Sequence, residues 1–114
     1  MQFNFDCMFY YVSDLGDAID FYSDILGLKL ISRDIVARFD IDGVLFELVP
    51  TTDKTKISGM GNARLCLRVD NIRSAIEELR ERGIQTGRIQ AVDNGLLAAI
   101  EDPDGNEICL WQDT

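Results

Sequence analysis

The sequence predicts an α+β fold: two tandem βαβββ modules whose curved mixed sheets surround a cavity. Two near-repetitions and one packing argument carry that prediction. Val12-Ser13-Asp14-Leu15 opens one amphipathic segment, and Val69-Asp70-Asn71-Ile72 opens a second 57 positions later. Asp40-Ile41-Asp42-Gly43 leads into the strand-like run Val44–Val49, and Asp102-Pro103-Asp104-Gly105 leads into Asn106–Trp111, 62 positions on. A unit of about fifty residues recurring in tandem is an internal repeat. One helix and four strands make too few layers to enclose a core alone, so each sheet must curl and face another.

Residues 1–12 alternate as a strand that places Phe3, Phe5, Cys7, Phe9 and Tyr11 on one face. Ser13 or Asp14 caps a helix reaching about Leu26, with Leu15, Ile19, Tyr22 and Leu26 turned inward and Gly27 as its stop. Leu28–Ile35, Val36–Ile41 and Val44–Val49 follow as strands, with Asp42-Gly43 as a tight hairpin turn. Module one spans 1–50, a polar linker 51–61, and module two 62–114, all within a single domain. The second module repeats the order. Ala63–Val69 is a strand, and Asp70 caps a helix with Ile72, Ala75, Ile76 and Leu79 inward, ending at Gly83. Ile84–Gln90, Leu96–Glu101 and Glu107–Trp111 complete it.

Composition narrows the function. A chain of 114 residues with 46% apolar content supports one folded domain. A net charge of −9 argues against nucleic acid, whose phosphates need clustered Lys and Arg. Acidity is compatible with a cationic ligand, and solubility explains it more simply. With no run of eighteen apolar residues and no basic apolar leader, the expectation is a cytoplasmic protein without a membrane partner. Cys66 and Cys109 sit in apolar runs and read as buried, reduced thiols. Histidine is absent, which removes the commonest metal ligand and the commonest neutral-pH base.

Val12-Ser13-Asp14-Leu15 followed by Ala18-Ile19-Asp20-Phe21-Tyr22, then Leu26-Gly27-Leu28, and the ending Glu101-Asp102-Pro103-Asp104-Gly105-Asn106 resemble the vicinal oxygen chelate superfamily. That superfamily includes glyoxalase I, bleomycin resistance proteins and extradiol dioxygenases, and the resemblance spans essentially the whole chain. In its metal-dependent members, two side chains from each module converge on one divalent ion. The resemblance carries those four positions to Cys7, Glu47, Arg64 and Cys109. The family pattern has His, Glu, His and Glu there, so only Glu47 conforms. Arg64 keeps its proton and has no lone pair to offer a cation. Two thiolates and a carboxylate are a conceivable zinc set, but the guanidinium beside them opposes it. The expectation is no metal and no cofactor, with Arg64 standing in for the ion and pairing with Glu47.

Strand alternation extends the concave face to Phe5, Phe9 and Tyr11, to Leu45 and Val49, to Cys66 and Arg68, and to Glu107 and Trp111. An aromatic face with a few charges suits a small planar or amphipathic molecule. The expected ligand-binding residues are Cys7, Phe9, Tyr11, Glu47, Arg64, Arg68, Cys109 and Trp111, with none assigned to catalysis. Each has a simpler reading: core or dimer packing for the aromatics, internal salt bridges for the arginines, inert thiols for Cys7 and Cys109. The carboxylates Asp14, Asp17, Asp20 and Asp24 and the Glu78–Arg82 pair read as solvated helix faces. The resemblance implies a homodimeric, metal-free relative of the bleomycin resistance proteins that sequesters a small aromatic or charged compound. The rival is a divergent lyase, isomerase or dioxygenase of the same superfamily, needing a metal on Cys7, Glu47 and Cys109 or chemistry without one.

Overall fold

Helix caps and tight turns divide the chain into the two sets of elements that the repeat predicts. A computed structural model describes residues 1–57 and 62–114, so the last four positions of the linker, 58–61, lie outside the described residues. Two units result, Met1–Ile57 and Ser58–Thr114, and each carries a four-stranded mixed sheet.

The first unit contains β1 (Met8–Val12), α1 (Leu15–Ile19), β2 (Lys29–Arg33), β3 (Ala37–Ile41) and β4 (Val44–Pro50). Its sheet order is β1-β4-β3-β2, with β1 parallel to β4 and the other pairs antiparallel. The Asp14 carboxylate, rather than Ser13, caps α1 by accepting from the Asp17 N–H at 2.9 Å. The helix does not run evenly to Leu26. It widens into a π-helical turn over Asp20–Ile25, and the Leu26 N–H donates to the Phe21 carbonyl five residues back. Gly27 ends it at φ +76°, a conformation costly for residues with a Cβ. Asp42 and Gly43 both take positive φ, as a type I′ turn requires.

One face of this sheet is covered by the helix. Tyr22 is fully buried against Phe46 at 5.2 Å and Phe39 at 6.1 Å between ring centroids, and Tyr10 meets Phe46 edge-on. Burying each such side chain contributes about 1.5–3 kcal/mol. The first strand is shorter than the alternation predicts. Met8 pairs with Phe46, and β4 begins only at Val44, so residues before Asp6 have no strand to pair with. Phe3 and Phe5 consequently stand outside the sheet, 85% and 76% exposed, and Phe5 leaves the expected cavity face.

The second unit contains β5 (Leu65–Arg68), α2 (Ile72–Glu81), β6 (Gln90–Val92), β7 (Gly95–Glu101) and β8 (Glu107–Asp113), in sheet order β5-β8-β7-β6. Asn71, rather than Asp70, caps α2 by accepting from Ser74 N–H, and the Gln112 side-chain oxygen accepts from Ile72 N–H at 2.7 Å. Ile72, Ile76 and Leu79 bury the helix against a face formed by Leu65, Ala98, Ile100, Ile108 and Leu110. The expected strand Ile84–Gln90 is mostly absent. Only a bridge from Thr86 to Ile100 forms, and regular pairing starts at Gln90. The Gly87 N–H donates to the Ala99 carbonyl at 2.8 Å, and a Cβ at position 87 would crowd that same carbonyl at 3.1 Å.

The turn between β7 and β8 is held by a buried carboxylate. Asp102 is 5% exposed and accepts from Asp104 N–H (2.9 Å), Asn106 N–H (2.8 Å) and Asn106 Nδ2 (2.9 Å). Removing it leaves buried donors unpaired, so Asp102→Ala should lower unfolding stability by about 2–3 kcal/mol in a urea titration. Asp102→Asn, which keeps an acceptor, should lose less.

Candidate functional site

Because side chains alternate along a strand, the face of each sheet turned away from its helix collects the predicted site residues. In the first unit this open face carries Phe9 and Tyr11 from β1, and Leu45, Glu47 and Val49 from β4. Phe9 and Tyr11 contact edge-to-face at 5.2 Å, and the Lys56 ammonium sits 5.3 Å over the Tyr11 ring. Cys7, immediately before β1, donates its thiol to Glu47 Oε1 at 3.8 Å, so the two counted positions of this module do come together.

Arg38 on β3 joins them. Its Nε donates to Glu47 Oε2 at 2.9 Å, and its side chain also reaches Asp34 at 3.5 Å. The expected Arg64–Glu47 pair is therefore corrected: Glu47 takes its guanidinium from its own sheet. The type I′ turn sets the register that places Arg38 opposite Glu47, and that register was the available sequence signal.

In the second unit Arg64 pairs with Glu107, Nε to Oε2 at 3.0 Å. Cys109 lies beside Cys66 in the β5–β8 register, and both face away from the helix. Cys66, expected to be buried, is exposed because β5 is the edge strand of its sheet. Trp111 donates its indole N–H to Asp113 at 2.7 Å, and Arg68 reaches the other oxygen of that carboxylate at 3.6 Å. Asp113 was not anticipated as the group linking Trp111 to Arg68. The ring can lie flat only because position 95 is glycine: a Cβ there would collide with the indole.

These residues do not fit a divalent metal. Of the four counted positions, Arg64 is a permanent cation and Glu47 is already neutralised by another. The two thiols are held in their protonated form. Burial pushes Cys7 above the ordinary thiol value, helped by the Glu47 and Asp6 charges, and burial does the same to Cys109. Among the described residues, no three of His, Cys, Asp or Glu converge on a point that could hold an ion.

Two outcomes follow. In a double-mutant cycle, Arg38→Ala and Glu47→Ala should couple by about 1–2 kcal/mol, between the exposed and buried limits, because the side chains are only 36% and 18% exposed. The exposed Arg82–Glu78 pair should couple by about 0.3–0.5 kcal/mol in the same assay. Gly95→Ala should displace the Trp111 ring, shift its emission and cost about 1–3 kcal/mol through overpacking.

Comparison with known proteins agrees with this architecture. The sequence profile described as Glyoxalase/Bleomycin resistance protein/Dioxygenase superfamily matches residues 4–110. Lactoylglutathione lyase of Salmonella typhimurium (strain LT2) is 31% identical over 114 residues, covering 87% of this chain and 84% of that one. Lactoylglutathione lyase of Escherichia coli O157:H7 is 28% identical over 117 residues, covering 90% and 87%. An antibiotic binding protein from Streptomyces sp. CB03234 superposes with a TM-score of 0.78 at 25% identity over the full length of both chains. A glyoxalase/bleomycin resistance protein from the same organism gives 0.74 at 28%, covering 94% of this chain and 99% of that one. The chain belongs to the Glyoxalase/Bleomycin resistance protein/Dioxygenase superfamily.

Proposed function

We propose that this protein binds a small aromatic or charged molecule without a metal, as a sequestration or resistance protein does. The observation that carries the reading is the state of its open-face carboxylates. Glu47 and Glu107 each hold a guanidinium, from Arg38 and Arg64, where a chelating site needs bare donors. Phe9, Tyr11 and Trp111 would supply stacking area, and the cation–π contact of Lys56 with Tyr11 is of the kind a cationic ligand would make. Cys7, Glu47, Arg64, Arg68 and Cys109 would fix orientation through a few polar contacts. The antibiotic binding protein of similar fold supports such a role. A homodimer belongs to the same reading and is checked by sedimentation at micromolar concentration.

The lyase names of the curated relatives favour a second reading, in which the chain catalyses the lactoylglutathione lyase reaction. One preparation separates the two. Protein purified without chelator should carry well under one equivalent of transition metal by elemental analysis, and should show no lyase turnover when zinc or nickel is added. Titration with a planar aromatic cation, followed by calorimetry, should saturate. Phe9→Ala should weaken that binding about tenfold, the size of one lost aromatic contact. Stoichiometric metal with metal-dependent turnover would establish the lyase instead.

A further inference from the structure

We propose that Cys66 and Cys109 form a dithiol–disulfide pair, a modification site on the open face of the second unit that reacts with low-molecular-weight disulfides. The two residues are direct partners in the parallel β5–β8 register. Neighbouring strands run about 4.7–4.9 Å apart, inside the roughly 4.4–6.8 Å window over which a disulfide joins two Cα atoms. Both side chains leave the same face. Their neighbours Leu65, Ile108 and Leu110 are buried on the other one. Cys66 lies on the edge strand and is exposed, so an incoming reagent can reach it. On its far side Cys109 is paired with Ala99, whose small side chain leaves the sulfur room to turn toward Cys66. The electrostatic influence of Cys66 on Cys109 is a second sign of their proximity.

The chemistry is a two-step exchange. The Cys66 thiolate attacks one sulfur of a small disulfide, forming a mixed disulfide and expelling one small thiolate. The Cys109 thiolate then attacks the Cys66 sulfur, closing the protein disulfide and expelling the second. The small disulfide gains the two electrons that the protein thiols lose, and the two protons leave with the two small thiols. Partial desolvation raises both protein thiols above their ordinary value, so exchange should accelerate as pH rises, while the Arg64 guanidinium favours the Cys109 thiolate. Cys7 belongs to the first unit, where its thiol is hydrogen-bonded to Glu47.

The test treats the reduced full-length protein with oxidised glutathione and then blocks remaining thiols with iodoacetamide. Alkylatable thiols should fall from three to one. Trypsin cuts after Arg64 and Arg68, so Cys66 leaves on residues 65–68 and should be found bridged to the peptide holding Cys109. That mapping uses the unaltered protein. Cys7→Ser should keep the bridge, whereas Cys66→Ser and Cys109→Ser should each abolish it, and reduced dithiothreitol should restore all thiols. A glutathione adduct persisting on Cys66 with Cys109 still alkylated would overturn the proposal, as would a bridge to Cys7 or one formed only between chains. None of these results depends on whether the face binds a small molecule, so the outcome is independent of the proposed function.

Discussion

The parallel pairing of the first strand of each unit with its last, β1 with β4 and β5 with β8, sorts every side chain of those strands between two faces. Helix α1 or α2 closes over one of them, which becomes the core. The other is left to polar and aromatic groups. Because strand periodicity is two, shifting either register by a single residue would exchange the sets, moving Phe46 and Leu48 outward and Glu47 inward. The β3–β4 register sets Phe39 opposite Phe46 and Arg38 opposite Glu47, so the buried aromatic contact and the ion pair follow from one hairpin alignment.

Electrostatics then decides what the open faces can hold. A buried or half-buried carboxylate needs compensation, and a divalent ion and a guanidinium are alternative ways of supplying it. In this chain the guanidinium is chosen twice, by different routes: Arg38 comes from a hairpin partner and Arg64 from the residue just before the edge strand. A metal entering either place would have to displace an arginine already bonded at about 3 Å and take protons from thiols that burial keeps neutral. The fold tolerates either arrangement, so the chemistry is written in a handful of positions and not in the architecture.

Much of this was legible in the sequence. The duplication, both helices, the Asp42-Gly43 turn and the Asp102–Asn106 loop follow from repeats and turn chemistry that act locally. What escaped depends on partners distant in the chain. Alternation over residues 1–12 cannot reveal that β4 begins opposite Asp6, so it predicts too long a first strand. Apolar neighbours around Cys66 suggest burial, but edge position is a property of strand order. Arg38, flanked by the buried Ala37 and Phe39, looks like a surface residue until the hairpin register is counted out from the turn. Arg64 pairs with Glu107 and not with Glu47 for a related reason: equivalence between modules locates a position without naming its nearest countercharge.

The aromatic core of the first unit has a practical sequel. Tyr10, Tyr11 and Tyr22 are the only tyrosines and all belong to that unit, whereas the lone tryptophan, Trp111, belongs to the other. Phenol absorbance and indole emission therefore report on separate halves of one polypeptide without any added label. Following the two signals side by side would tell whether the halves melt together or one after the other.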